Sequence, residues 1–398
     1  MGQHKNVYYR RLAVAEYAKK HPEESNVSIG KRFGISERSV RRYVLEAPKA
    51  EKQSIEEEIG ITRKEKEHTV LKSKYTEALK LIEERDEVIR QLMAMDGVPE
   101  DVDIDVKQTA KREVVPVIVA SDWHIEETVT SAITNGLNEY NLDIAEDSIK
   151  QFFTNACYLV NRAKQDCTVN TVVLAVLGDI INGVLRAEDL ESNQTTSIDA
   201  LTLARTLLYN GIKQLAKSTG CHIKVVCCVG NHGRMTEKIH FSNQVHNSLE
   251  YLMYKTLERD FRDHKSVEFF VSEGPYRILN ILGYDVRFQH GHSVRYSGGI
   301  GGISVPVLRK VAQWNTIEHA DIEVIGHFHT MQSVGNVIMN GSLVGSNGYS
   351  MALGLPHENP SQAYFQIDSK YGKSMITPIF IDRKVSKPDK NEVVRKRH

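Results

Sequence analysis

Nowhere in this chain do about 18 apolar residues follow one another, so nothing in it reads as a membrane-spanning helix. The amino terminus is polar and basic, which is not how a secretory leader reads. The five cysteines, Cys157, Cys167, Cys221, Cys227 and Cys228, form no C-x-x-C pair. Buried reduced thiols are therefore expected, not a disulfide framework or a thiolate metal site. Net charge is missing too. The 51 Lys and Arg balance 51 Asp and Glu, so overall charge points to no polyanionic partner and local charge has to decide. These absences lead to the expectation of a soluble cytoplasmic protein that makes no membrane contact.

What is present divides into modules. A length of 398 residues with 41% hydrophobic content suits one large domain with smaller attachments. The first fifty residues hold eleven Lys and Arg against five Asp and Glu, a local positive excess able to meet phosphates. Their pattern predicts three short helices, at 8–20, 27–33 and 37–45. Gly34-Ile35-Ser36 is the tight turn before the third, and Ser36 is its cap. Residues 1–48 thus resemble a helix-turn-helix whose third helix presents Arg38, Ser39, Arg41 and Arg42 to a DNA groove; a small solvated bundle is the alternative.

Composition then shifts to Glu and Lys, and residues 52–95 read as one long helix with no proline and only Gly60 from 55 to 93. Tyr75, Ile82 and Ile89 form one seam position, with Leu71, Ala78, Arg85 and Leu92 at the other. That seam is enough for a modest coiled coil and a homo-oligomer; a single helix packed on the larger domain is the alternative. Asp96-Gly97-Val98-Pro99 stops the helix, and 96–112 reads as an acidic linker. From 113 to 383, β-branched apolar runs at 115–120, 171–177, 223–229, 285–289 and 322–325 alternate with helical patterns at 143–164, 198–217 and 244–262. The fold class expected is α/β, with sheets flanked by helices. Residues 384–398 form a basic tail.

Five fragments in this last region carry the chemistry: Asp122-Trp123-His124, Gly178-Asp179, Gly230-Asn231-His232, His290-Gly291 and Gly326-His327-Phe328-His329. Each follows a hydrophobic run, so the side chains should meet at the carboxyl ends of strands. Two divalent ions about 3.5–4 Å apart need a bridging carboxylate and a mixed oxygen and nitrogen shell. Asp122 and His124 can turn into one site where a strand gives way to a loop, Asp179 can bridge, and Asn231 adds a neutral oxygen. His290, His327 and His329 complete the shells. His292 is a second imidazole beside His290, either behind the ligands or facing substrate. Arg234 and Arg295 are candidate phosphate clamps. The glycine run at 298–302 reads as a flexible loop, since it lacks a P-loop lysine.

The order D-x-H, G-D, G-N-H, H-G, G-H-x-H resembles the calcineurin-like metallophosphoesterases over residues 115–382. The resemblance implies a first metal on Asp122, His124, Asp179 and His329, and a second on Asp179, Asn231, His290 and His327. It also implies that His232 stays off the metals and assists the leaving group; an imidazole can carry a proton near neutral pH. Mn²⁺ suits a shell without thiolate and is common in the family; Zn²⁺ or Fe²⁺ would fit the same donors. The chain departs from the protein phosphatase pattern. Asn182-Gly183 stands where that branch has D-R-G, and Gly233 stands where it has Glu after G-N-H. With Asn340-Gly341-Ser342-Leu343, it is more similar to phage-encoded members near the DNA repair exonuclease group that includes the nuclease subunit of SbcCD, which would place it in a host cytoplasm. The expected activity is an endo- or exonucleolytic phosphodiesterase on DNA. A phosphomonoesterase or small cyclic-nucleotide phosphodiesterase is the enzymatic alternative, and a DNA-binding structural phage protein that uses the fold as a scaffold is the alternative from another class.

Overall fold

A computed structural model describes residues 2–94, 111–185, 187–295, 302–352, 354 and 357–383. The basic tail, all but the last two linker residues and most of the glycine run lie outside that range. The chain divides into two compact units, Met1–Val106 and Lys107–His398.

In the first unit, α1 (Gly2–Lys20), α2 (Asn26–Phe33) and the start of α3 (Glu37–Ala94) close around Val14, Ile29 and Val40, flanked by Tyr17, Phe33 and Tyr43. Ser25 caps α2, and the Ser36 hydroxyl accepts the Ser39 amide at 3.2 Å, as a capping residue should. The third helix does not stop near residue 45 as the sequence suggested: α3 runs on through Pro48 to Ala94. Proline removes one N–H but its φ is helical. The residues around it, Leu45-Glu46-Ala47 and Lys49-Ala50-Glu51-Lys52, are strong helix formers that carry the chain across the gap. The seam residues Leu71, Tyr75, Ile82, Ile89 and Leu92 are all exposed.

The second unit is built on two facing sheets. The first has the order β11-β10-β1-β2-β3-β4, and the second β5-β6-β7-β9-β8. β1 (Val114–Ala120), β2 (Thr171–Val176), β3 (His222–Cys227) and β4 (Val267–Val271) run parallel; β10 (Ser361–Asp368) and β11 (Gly372–Phe380) continue antiparallel beyond β1. In the second sheet β6 (Tyr284–Gln289), β7 (Ile322–Ile325) and β9 (Val337–Met339) are parallel, edged by β5 (Arg277–Ile281) and β8 (Gln332–Val334). Strand side chains alternate between faces. Val115, Val117 and Val119 therefore enter the layer between the sheets with Phe288, Val324 and Phe365. Ile118 and Ala120 face outward, under α4 (Leu142–Asp166), α6 (Ser197–Thr219) and α7 (Leu249–Asp260). Ile325, Val337 and Met339, on the far face of the second sheet, meet α8 (Ser304–Trp314). Burial on both faces explains why these strands read as unbroken apolar runs. The helix expected at 244–262 begins only at Leu249, after a 3₁₀ turn at Val245–Asn247. No helix among the described residues is long and apolar enough to cross a membrane.

Candidate metal centre

The parallel strands β1, β2, β3, β6 and β7 all end on one edge, and each expected ligand lies in the loop that follows one of them. Trp123 anchors the first loop. It is wholly buried against Phe152 and Phe153, and its Nε1–H donates to Gln362 Oε1 at 3.2 Å, so Asp122 and His124 on either side turn the other way. The Asp122 amide bonds Gly178 O and the Trp123 and His124 amides bond Asp179 O, which locks the first loop to the second. A Cβ on Gly178 would lie 2.0 Å from Gly230 N, so the second and third loops touch in a way only glycine permits. Five candidate ligands hold left-handed backbone: Asp122 (φ 56°), His124 (43°), Asp179 (50°), His327 (72°) and His329 (55°). Side-chain-bearing residues rarely adopt that conformation, and they persist in it where the surrounding structure over-determines it.

Three overlapping groups of donor atoms result: Asp122, His124 and His329; His124, Asp179 and His232; Asp179, His290 and His327. Asp179 belongs to two of them. His124 Nε2 and His329 Nε2 stand 3.2 Å apart, as do His327 Nδ1 and His290 Nε2, and Asn231 Oδ1 is 3.2 Å from His290 Nε2. Donors sharing one ion at bonds of about 2.0–2.2 Å stand about 2.9–3.5 Å apart, so this spacing fits metal ligands.

The far ring nitrogens fix which atom faces the site. His290 donates Nδ1–H to Leu177 O at 2.7 Å and His232 donates Nδ1–H to Asn182 O at 2.7 Å. His124 Nδ1 meets Asn182 Oδ1 at 3.0 Å; the Asn182 amide is oriented by its own donation to Asn193 Oδ1, so the ring must donate. Each imidazole thereby turns Nε2 inward, the usual arrangement behind a metal ligand.

Charge is distributed to match. Burial alone would raise the Asp179 carboxyl, but the His290 and His232 imidazoles hold it well below the usual range. Burial works against a charged His290, yet Asp179, at 2.9 Å, pushes it up to about 9. Burial likewise opposes His329, and its bond to Asp122 raises it. His124 and His327 are driven well down, by burial first and by neighbouring imidazoles next. Asp179 thus takes from His290 the positive charge that a divalent ion would supply. The oxygen and nitrogen donor set, its spacing and its tautomers all fit such ions.

The other sequence candidates fall outside this cluster. His292 belongs to none of the three groups; its Nε2 accepts from Gln244 Nε2 at 2.7 Å, and burial lowers it to about 4. Arg234 does not reach out as a clamp, because its guanidinium bonds the carbonyls of Asn231, Thr236 and Glu237 and staples its own loop. Arg295 is exposed. Arg38, Arg41 and Arg42 are exposed on α3 while Ser39 is half-buried, and Arg41 pairs with Glu37 at 2.8 Å.

Two buried carboxylates escaped the sequence reading. Glu126 accepts the amides of Asn182 and Gly183 at 2.8 and 2.9 Å. Glu250 accepts those of Ile180 and Gly230 at 2.7 and 2.8 Å and, pushed up to about 8 by burial and then by Asp179's charge, ties the second loop to the third. Asn340 bonds Ser121 Oγ and the Ala363 amide, which gives the Asn340-Gly341-Ser342-Leu343 stretch a role in seating the first loop.

No family model matches the chain, and no curated protein does. Among solved structures it is similar to a predicted phosphoesterase from Streptococcus pneumoniae (13% identity, 69% of this chain and 95% of that one, TM-score 0.28). It is also similar to a hypothetical protein from Pyrococcus horikoshii (14%, 71% and 96%, 0.34) and to a zinc-complexed Vps29 from Entamoeba histolytica (12%, 67% and 99%, 0.26). Likenesses this distant carry no argument about activity.

Proposed function

We propose that this chain is a dinuclear-metal phosphodiesterase of the calcineurin-like kind, acting on DNA and nearest to the phage-encoded nuclease relatives. The observation that carries the reading is the overlap of three groups of convergent donors, in which His124 links Asp122 and His329 to Asp179, and Asp179 links on to His290 and His327. Asp122, His124, Asp179 and His329 would hold one ion, and Asp179, Asn231, His290 and His327 the other. Such ions, when bound, polarise a phosphate and acidify water at neutral pH. His232 does a separate task. With Nδ1–H held by the Asn182 carbonyl, its Nε2 faces the cluster and, when the ring is the imidazolium, would pass the Nε2 proton to a departing oxygen and return to the neutral Nδ1–H form. Asn182, Glu126 and Glu250 keep the second and third loops in register, so that proton donor and phosphate meet without rearrangement.

The first unit is the targeting device in this proposal. α2 and α3 act as a helix-turn-helix that offers Arg38, Arg41 and Arg42 to DNA phosphates, and the exposed seam of α3 pairs with a second copy. One observation favours the alternative of a small phosphate ester as substrate: Arg234, two residues after His232, is bonded to carbonyls of its own loop and offers no clamp for a long polyanion.

Supercoiled, linear and single-stranded DNA incubated with Mn²⁺, alongside bis-p-nitrophenyl and p-nitrophenyl phosphate, decides between the two. The nuclease reading expects DNA cutting that Asp179→Ala abolishes and His232→Ala slows about 10²–10⁴-fold. Turnover of the small esters with every DNA form left intact would move the substrate to the alternative.

A further inference from the structure

From Ile61 to Met93 every residue of α3 is exposed, on all sides of the helix. Helices in water draw most of their stability from packing an apolar face, and this one leaves such a face open. The heptad seam that carries Tyr75, Ile82 and Leu92 also holds Lys64 and Arg85. In a parallel pair each seam residue meets its own copy, so Lys64 and Arg85 would each face a like charge inside the interface. Glu67, which could reach Lys72 of the second copy in that arrangement, is already paired with Arg63 of its own helix at 3.3 Å.

An antiparallel pair that crosses at residue 80 removes both conflicts. Arg85 then lies against Tyr75 of the second copy, and Lys64 falls outside the overlap. A guanidinium over a tyrosine ring is a contact the same unit already uses, with Arg32 at 4.8 Å from the centre of the Tyr17 ring. The remaining seam layers join Ile82 to Ala78, Ile89 to Leu71 and Leu92 to His68. Leu79 and Leu81 flank the seam on opposite sides and meet their own copies at the crossing. Farther out, Lys72 faces Asp86 of the second copy. Apolar flanks at the centre with opposite charges beyond them suit a closed two-fold pair.

We propose that α3 binds a second copy of this chain antiparallel, crossing at residue 80. The inference rests on the reading of α3 as a pairing device and names its orientation and register. At about 1.5 Å per residue along the helix, the two Arg41 positions lie about 120 Å apart. That is far more than the roughly 34 Å between half-sites one helical turn apart, so the dimer joins two separate stretches of duplex.

The test adds one cysteine to each full-length copy. Four of the native cysteines are buried and Cys167 is half-buried, so the wild type serves as the control for their reactivity. His68→Cys and Leu92→Cys are expressed singly and, with different tags, together; each sample is oxidised mildly, and sedimentation equilibrium gives its oligomeric state. The expected result is a dimer throughout and a disulfide only in the mixed pair. Position 92 lies about 36 Å from its own copy and beside position 68 of the other, and a disulfide tolerates only a few ångströms. Tyr75→Cys with Arg85→Cys repeats the comparison at a second layer and answers for a dimer weakened by the loss of Leu92. A disulfide formed by Leu92→Cys alone overturns the antiparallel order and leaves pairing through α3 standing. Dimers in which neither mixed pair links overturn the proposed register. A monomeric wild type overturns the pairing itself and with it that part of the targeting device, whereas the DNA-cutting assay answers for the catalytic reading separately.

Discussion

The two histidines that meet a buried carboxylate in the donor cluster, His290 beside Asp179 and His329 beside Asp122, differ in enclosure. On one side the His290 side chain is fully buried against Asp179, and its far nitrogen is held by the backbone of β2's end. On the other, the His329 side chain is 31% exposed beside a buried Asp122, and its neighbour His124 is steadied by a side-chain amide, Asn182. The difference teaches that the His290 imidazole is fixed by the fold itself, whereas His329 keeps partial access to solvent.

The largest effect that would break this comparison is on the stability of metal-free protein. His290→Ala leaves the Asp179 carboxylate buried without its cation and should cost about 3–5 kcal/mol. His329→Ala should cost about 1 kcal/mol or less, because that side chain is partly solvated and Asp122 keeps the Ser121 hydroxyl and the His327 amide. Urea unfolding with chelator present measures both, and equal losses would remove the distinction. A smaller effect sharpens it: Asn182→Ala frees the His124 ring and should weaken the metal position served by His124 and His329 about 10–100-fold. Competition with a metal-sensitive dye would show one affinity falling and the other holding.

The smallest effect lies on the strands that lead to His290 and His327, where Arg287 on β6 and Glu323 on β7 form a buried ion pair and Gln289 donates to Glu323 at 3.3 Å. Burial raises the Glu323 carboxyl from 4.5 to about 7, with Arg287 opposing. The folded protein then binds a proton in that interval that the unfolded chain does not. Glu323 therefore contributes stability that is complete below pH 4.5 and lost as pH rises through about 7. Glu323→Gln should flatten the decline of unfolding free energy between these values, and an unaltered slope would contradict it.

How much of this was legible beforehand depended on whether a residue's surroundings are written near it in the chain. β1 and β2 could be read because both their faces are apolar, β3, β6 and β7 because one face is, and the metal donors because each follows such a strand. β10 could not: Ser361, Gln362 and Gln366 break its pattern, and they are buried all the same, with Gln362 bonding Ser121 and Trp123 from across the sheet. Glu250 sits one residue into α7, where a carboxylate ordinarily reads as a solvated helix start. Its partners are 20 and 70 residues away. Asn182 was visible only as a departure from the phosphatase pattern, and its bonds to His124 and His232 needed the fold to appear. The sequence reads as two helices, 37–45 and 52–95, with Pro48 between them; the helix formers around that proline carry one helix through.

The central claim is that Asp179 joins two metal positions, and a titration of chelator-treated protein with Mn²⁺, followed by calorimetry and electron paramagnetic resonance, tests it most directly. The account predicts two ions per chain with a spin-coupled signal for the wild type, and loss of both the coupling and at least one ion in Asp179→Ala. Binding of one ion or none by the wild type, or an Asp179→Ala variant that still holds a coupled pair, would contradict it.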